Sequence, residues 1–161
     1  MVLYVGVREE GAPQVHYREP PEELVLLPEE VHDTYVHFLA TVEEASREGD
    51  LSEDLTAGHS LLSYARAREQ QEKFQVLAGK YLAVLRDVLH HSFDAEHRAI
   101  AAYVIGYAPD KKTVVADLIE ALRDPDETVR DNAMRALAAI SVLALRKPEL
   151  GIKIDATPFV E

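Results

Sequence analysis

The sequence predicts a mainly α-helical chain, an α-solenoid of stacked helical hairpins preceded by a short N-terminal β-hairpin. Three observations carry this. One helix start occurs twice, 32 residues apart, in DAEHRAIAAYVIGYA (residues 94–108) and DPDETVRDNAMRALAAI (residues 124–140). After residue 28, apolar residues recur mostly at three- and four-residue spacing, the period of helices with one buried face. Near the start, residues 3–8 and 14–18 are rich in β-branched and aromatic side chains and flank EEGAP, whose glycine and proline favour a turn between strands.

The elements follow in order. EPPEELVLLP is bounded by prolines and reads as extended, with LVLL (residues 24–27) as a strand or apolar strap against the helices. The first helix starts near Pro28, carries the stripe Val31, Tyr35, Phe38, Leu39, Val42 and Ala45, and stops at Gly49, a residue suited to the left-handed turn that ends helices. Residues 50–64 show no sustained period and read as a loop with at most one helical turn. A connection of that length is packed down or functional. A second helix is expected over 65–91, with Phe74, Leu77, Ala78, Tyr81, Leu82, Leu85, Val88 and Leu89 as one stripe and Gly79 off it, marking a bend. The third covers 94–107, capped by Asp94 and stopped by Pro109. The fourth covers 110–123 and buries Val114, Val115, Leu118, Ile119 and Leu122. The fifth begins at Pro125 or Asp126 and ends at Arg146, where basic residues suit the negative end of the helix dipole.

In the repeat, Asp94 matches Asp126, Arg98 matches Arg130, Ala101 matches Ala133 and Ile105 matches Leu137. Before each start lies an amphipathic helix, with Leu85 and Leu89 corresponding to Leu118 and Leu122 after a one-residue slip. Two helices per unit at this period indicate a solenoid. The stretch ALRDPDETVRDNAMRALAAI (residues 121–140) resembles the HEAT repeat, specifically the short bacterial subtype called phycobilisome-lyase-like. The resemblance is strong over 110–145, good over 82–109 and absent over 1–60. Asp124 closes a turn, Pro125 presets the helix start, and Asp126 caps exposed N–H groups. Val129, Ala133, Leu137 and Ile140 face a partner helix, and small Ala133 and Ala136 allow close approach. The resemblance implies a right-handed superhelix and a structural role for Arg98 and Arg130, which in such repeats bond to acids and carbonyls of the neighbouring unit.

These readings divide the chain into residues 1–27 (hairpin and strap), 28–92 (helices and loop acting as cap or first repeat), 93–148 (HEAT-like repeats) and 149–161. The last stretch contains ATPFVE, in which Thr157 and Pro158 resemble the start of a further repeat, and the expectation is a piece of a longer protein.

Composition narrows function. The net charge is −12. Residues 1–60 hold 14 acids against Arg8, Arg18 and Arg47, a net of −11, and residues 61–161 hold 15 acids against 14 bases, a net of −1. An acidic chain without a basic block argues against binding a phosphate backbone. No apolar run approaches the roughly 18 residues of a membrane span, and MVLYVGVREE lacks the basic leader of a signal peptide, so the default location is cytoplasmic. With no cysteine there is no thiolate chemistry.

Candidate chemistry is sparse. His90, His91 and His97 straddle a helical turn near Asp94 and Glu96 and could converge on a divalent ion, but no zinc-ligand spacing is present. Asp54, His59 and Ser60 have the residue types of a hydrolase site without its elbow or oxyanion motif. No catalytic residue, metal or cofactor is therefore expected. The expected function is a non-catalytic scaffold for a protein partner, using Arg86, His90, Lys111, Lys112, Asp117, Glu120 and Arg123 on one face of the stack. An enzyme or subunit handling a chromophore or small ligand is the alternative implied by the subtype, and nucleic-acid binding a third, opposed by the acidity. Self-association through the hairpin edge or an open solenoid end is also expected.

Overall fold

The computed structural model describes residues 16–155. Six α-helices follow one another: α1 Glu29–Glu48, α2 Ala65–Lys80, α3 Leu82–His91, α4 Ala95–Ile105, α5 Lys111–Ala121 and α6 Glu127–Arg146, then a 3-10 turn at Pro148–Leu150. They pair in sequence, α1 with α2, α3 with α4 and α5 with α6, and the pairs stack, α4 on α6 most extensively and α3 on α5. The stacked faces enclose one core, with Phe74, Leu85, Leu89, Ile100, Ile105, Leu118 and Ile140 fully buried. Burial of this kind contributes about 1.5–3 kcal/mol for each large side chain.

The helix ends follow local chemistry. Asp94 caps α4 by accepting from the backbone N–H groups of Glu96 (2.9 Å) and His97 (3.1 Å). Asp126 caps α6 through Val129 N–H at 3.1 Å, so Pro125 lies just outside the helix, in the turn. Asp110 caps α5 through Lys112 N–H at 3.1 Å. Gly49 ends α1 at φ 72°, where a side chain would be strained. The close approach of α4 to α6 centres on Gly106: a Cβ there would sit 2.9 Å from the Cβ of Ala136.

Two expectations change. The helix expected over 65–91 is two helices, broken at Tyr81 (φ −113°, ψ 19°) rather than bent at Gly79. Lys80 and the Tyr81 hydroxyl both reach Glu30 of α1, at 2.8 and 2.9 Å. They hold the end of α2 on α1, while α3 turns to pack on α4. Residues 50–64, expected to be a loop, contain an antiparallel ladder of β1 Glu53–Asp54 and β2 Leu61–Leu62, in the register Glu53↔Leu62 and Asp54↔Leu61. The N-terminal strands expected over 3–8 and 14–18 lie outside the described residues, except 16–18, which have no regular structure.

The strap follows. Leu27 is buried and Val25 partly so, while Leu24 and Leu26 face out. Glu23 bonds the α3–α4 turn on both sides, its N–H donating to His91 O (3.2 Å) and its carbonyl accepting from Phe93 N–H (2.8 Å). At the other end, Ile152 and Ile154 pack partly buried against the core, and ATPFVE lies outside the described residues. Among the described residues no helix is long and apolar enough to cross a membrane.

Candidate functional site

A cleft of about 590 Å³ is lined by α1, the 50–64 hairpin, α4 and α6. It exists because α1 and α6 each pack on α4 but not on each other. Tyr35 and Phe38 of α1 meet Tyr103 of α4 with ring centroids 5.4 and 5.3 Å apart, and Phe74 joins them at 5.6 Å from Tyr103. Tyr35, Phe38 and Tyr103 line the cleft, and buried Phe74 packs behind them at the separations of attractive ring pairs. Leu39, Val42, Leu51 and Leu55 give an apolar lining from α1 and the hairpin. Thr128, Asp131, Arg135 and Ala138 line it from α6, at the three- and four-residue spacing of one helix face, spanning about 15 Å.

The hairpin is fixed over α4 by a buried polar network. Gln71, fully buried on α2, accepts from Leu62 N–H (2.7 Å) and lies 3.1 Å from the Tyr107 hydroxyl. That hydroxyl donates to Ser60 O at 2.8 Å. Gly58, at φ 81°, turns the tip against α5 and α6, where a Cβ would come within 2.8 Å of Leu143 and 3.2 Å of Lys111. Lys111 Nζ donates to Gly106 O (2.6 Å) and meets His59 Nδ1 at 3.0 Å. Burial lowers the Lys111 ammonium to about 7. Burial first, and the neighbouring Lys111 charge second, lower His59 to about 4, so His59 is neutral at pH 7. With Nδ1 accepting from lysine, the ring proton sits on Nε2, a buried position with no partner among the described residues. Burial also raises the Tyr103 and Tyr107 hydroxyls, Tyr103 to about 12.

The face expected to meet a partner holds a different arrangement. Arg86 donates to Asp117 at 2.8 Å and also to Thr113 O. His90 lies 2.8 Å from Asp117 and 3.5 Å from Glu120. Arg123 donates to His16 O at 3.3 Å, and its own carbonyl accepts from Arg18 N–H at 2.7 Å. Lys112, Glu120 and Arg123 are exposed. Lys111 is not on that surface: it is buried, its amine turned toward Gly106 and His59. The first-turn position that should have faced solvent is covered by the hairpin tip.

The repeat positions form the densest polar cluster. Asp124, fully buried, accepts from Arg98 Nε and Nη2 at 2.9 Å each, from Arg18 Nη2 at 2.6 Å and from Asp126 N–H at 2.9 Å. Burial pushes its carboxyl up, but the Arg98 and Arg18 hydrogen bonds outweigh this and hold it below the usual range. Arg98 Nη1 also donates to Ser92 O and Phe93 O, and Arg130 Nη1 repeats the pattern on Asp124 O and Pro125 O, 32 residues on. Arg130 lies 4.2 Å from the Tyr17 ring centroid.

The histidines go separate ways. His91 pairs with Asp87 at 2.8 Å, and His97 Nδ1 accepts from Leu27 N–H at 3.2 Å. Among the described residues no group of three or more potential ligands converges. Nor do Asp54, His59 and Ser60 form a relay: Asp54 accepts from Thr56 N–H and Ser60 donates to Glu53 at 2.6 Å.

Sequence reasoning missed the cleft and Arg18. The cleft had one legible signal, the long aperiodic 50–64 segment. Arg18 had none, since its partners Leu89, His90 and Asp124 lie 71 to 106 residues away.

No curated protein and no solved structure matches the chain. Residues 82–149, which run from α3 through the 3-10 turn after α6, match the family model of HEAT repeats, and the stacked helix pairs over that span are consistent with a HEAT-like helical repeat.

Proposed function

We propose that the chain is a non-catalytic HEAT-repeat scaffold that binds a partner protein in the cleft formed by α1, the 50–64 hairpin, α4 and α6. The observation that carries this is the cleft itself, an apolar recess walled by a helix of the repeat stack and held open by a hydrogen-bonded hairpin. HEAT repeats generally serve protein interaction, and the match over 82–149 supports that use here. Binding fits the cleft better than chemistry does, because its histidine is tied to Lys111 and Glu53 holds Ser60, while Asp131 and Arg135 have no partner among the described residues with which to form a relay. The recurrent Asp–Arg register supports the short phycobilisome-lyase-like subtype.

Photocrosslinking in the native cell tests the reading. A benzoylphenylalanine at Ala138 or Leu39 should give discrete protein adducts, and one at exposed Val76 on α2 should not. Adducts only from Val76, or none from the cleft positions, would reject it. A small-molecule occupant is the second reading, favoured by the aromatic floor and a volume within the range of ligand pockets. Mass spectrometry of the denatured, freshly purified protein would reveal such a compound.

A further inference from the structure

We propose that the guest of this cleft is a basic, amphipathic protein segment, an inference that rests on the protein-binding reading and adds the chemistry of the partner. Two features of the lining set the apolar half of that description. Leu39 and Leu51, at its edge, are each 49% exposed, far more than their neighbours Phe38 and Leu62. The lining along α6 is about 15 Å long, which matches three turns of a guest helix with anchors at i, i+3 or i+4, and i+7.

Charge sets the other half. The cleft is lined by two carboxylates, Asp131 and Glu53, against one cation, Arg135. Asp131 is exposed and has no hydrogen bond or ion pair with any described residue, and Glu53 accepts only from Ser60. Both carboxylates are open to an incoming lysine or arginine. The chain's net charge of −12 adds a field that draws a basic segment in and repels an acidic one.

The test uses the full chain and two fluorescent helical peptides of about 14 residues, one of leucine and lysine, the other with glutamate in place of lysine and the same apolar face. Anisotropy at low salt should show the lysine peptide binding and the glutamate peptide not. Reversing both carboxylates (Glu53→Lys with Asp131→Lys) should weaken the lysine peptide about tenfold. Reversing two exposed acids elsewhere (Glu69→Lys with Glu149→Lys) makes the same change in net charge and should leave affinity within about twofold. Ala138→Trp, which fills the cleft from an exposed position, should abolish binding, and circular dichroism verifies that each variant is folded. Equal weakening by both charge pairs would mean non-specific attraction and overturn the proposal. Binding of the glutamate peptide that Ala138→Trp blocks would overturn the basic guest while leaving a protein-binding cleft. Peptide binding indifferent to Ala138→Trp would overturn the cleft reading itself. A dimer in sedimentation that Ala138→Trp dissolves would identify a second copy as the occupant and overturn the proposal.

Discussion

Asp124→Asn is the sharpest probe of what holds the repeats together. The substitution keeps shape and removes charge. Asp124 is fully buried and accepts four hydrogen bonds, three from the guanidinium groups of Arg98 and Arg18 and one from Asp126 N–H. An amide at this position places an NH2 donor against arginine or backbone donors, so at least one contact becomes repulsive. Arg98, whose side chain is 3% exposed, is then left as a buried cation without its counter-ion. Removing one partner of a buried pair costs about 3–5 kcal/mol, a loss of roughly 6–20 °C in Tm for a domain of this size. Urea unfolding followed by circular dichroism at pH 7 measures it. The acid limb gives a second readout. Asp124 is held below its unfolded value, so its contribution is present above about pH 4 and is lost as pH falls through the depressed folded value. The variant should lack that part of the acid loss. A destabilisation under about 1 kcal/mol, the worth of an exposed pair, with an unchanged acid limb, would refute the view that Asp124 clamps two repeats and the strap.

Other expectations are as direct. Gly58→Ala forces a side chain into a left-handed conformation and against Leu143; a loss of about 1–3 kcal/mol and faster amide exchange across residues 50–64 are expected. Gly106→Ala meets Ala136 without backbone strain, so a smaller loss of about 1–2 kcal/mol should appear in urea unfolding. Lys111 has a folded value near 7 against an ordinary 10.5; the unfolded state binds more protons between those limits, so stability should rise from pH 7 to 10, by at most about 1.4 kcal/mol per pH unit. Lys111→Met should flatten that rise in stability measured across the same pH range.

The parts of the fold that were legible are those fixed by neighbours in sequence. Asp94 and Asp126 cap the helices that follow them because a carboxylate two or three residues ahead of free N–H groups has little else to bond. Gly49 ends α1 for an equally local reason. The Arg98–Asp124 contact was legible only through recurrence: one arginine is a surface residue by default, and two at a 32-residue period are a structural position. The break at Tyr81 was hidden because the apolar stripe runs through it from Leu77 to Leu85, and periodicity reports burial rather than helix continuity. The hairpin was hidden because its stability comes from outside it. Two residue pairs do not hold a ladder; Gln71, Tyr107 and Lys111, distant in sequence, do. Lys111 itself misled, since a lysine in a first helical turn beside Lys112 reads as solvated unless something covers it.

That local-versus-distant division bears on where a partner binds. Charged residues on the α3–α5 face looked available because the sequence shows charge but not pairing. In the fold, Arg86 and His90 share Asp117, and the strap bonds the ends of α3 and α5 through Arg18. A guest contacting those side chains exchanges existing bonds for new ones, and the net gain of such an exchange is small. At the cleft the balance differs. Asp131 and Arg135 have no ion pair among the described residues, and Leu39 and Leu51 are half exposed. Covering half-exposed leucines yields about 25 cal/mol per Å² removed from water, and a guest cation can pair with Asp131 without displacing an existing bond. Binding therefore gains more at the cleft than on the charged face, which makes Ala138→Trp the discriminating variant: it blocks the cleft and leaves Arg86, His90 and Asp117 untouched.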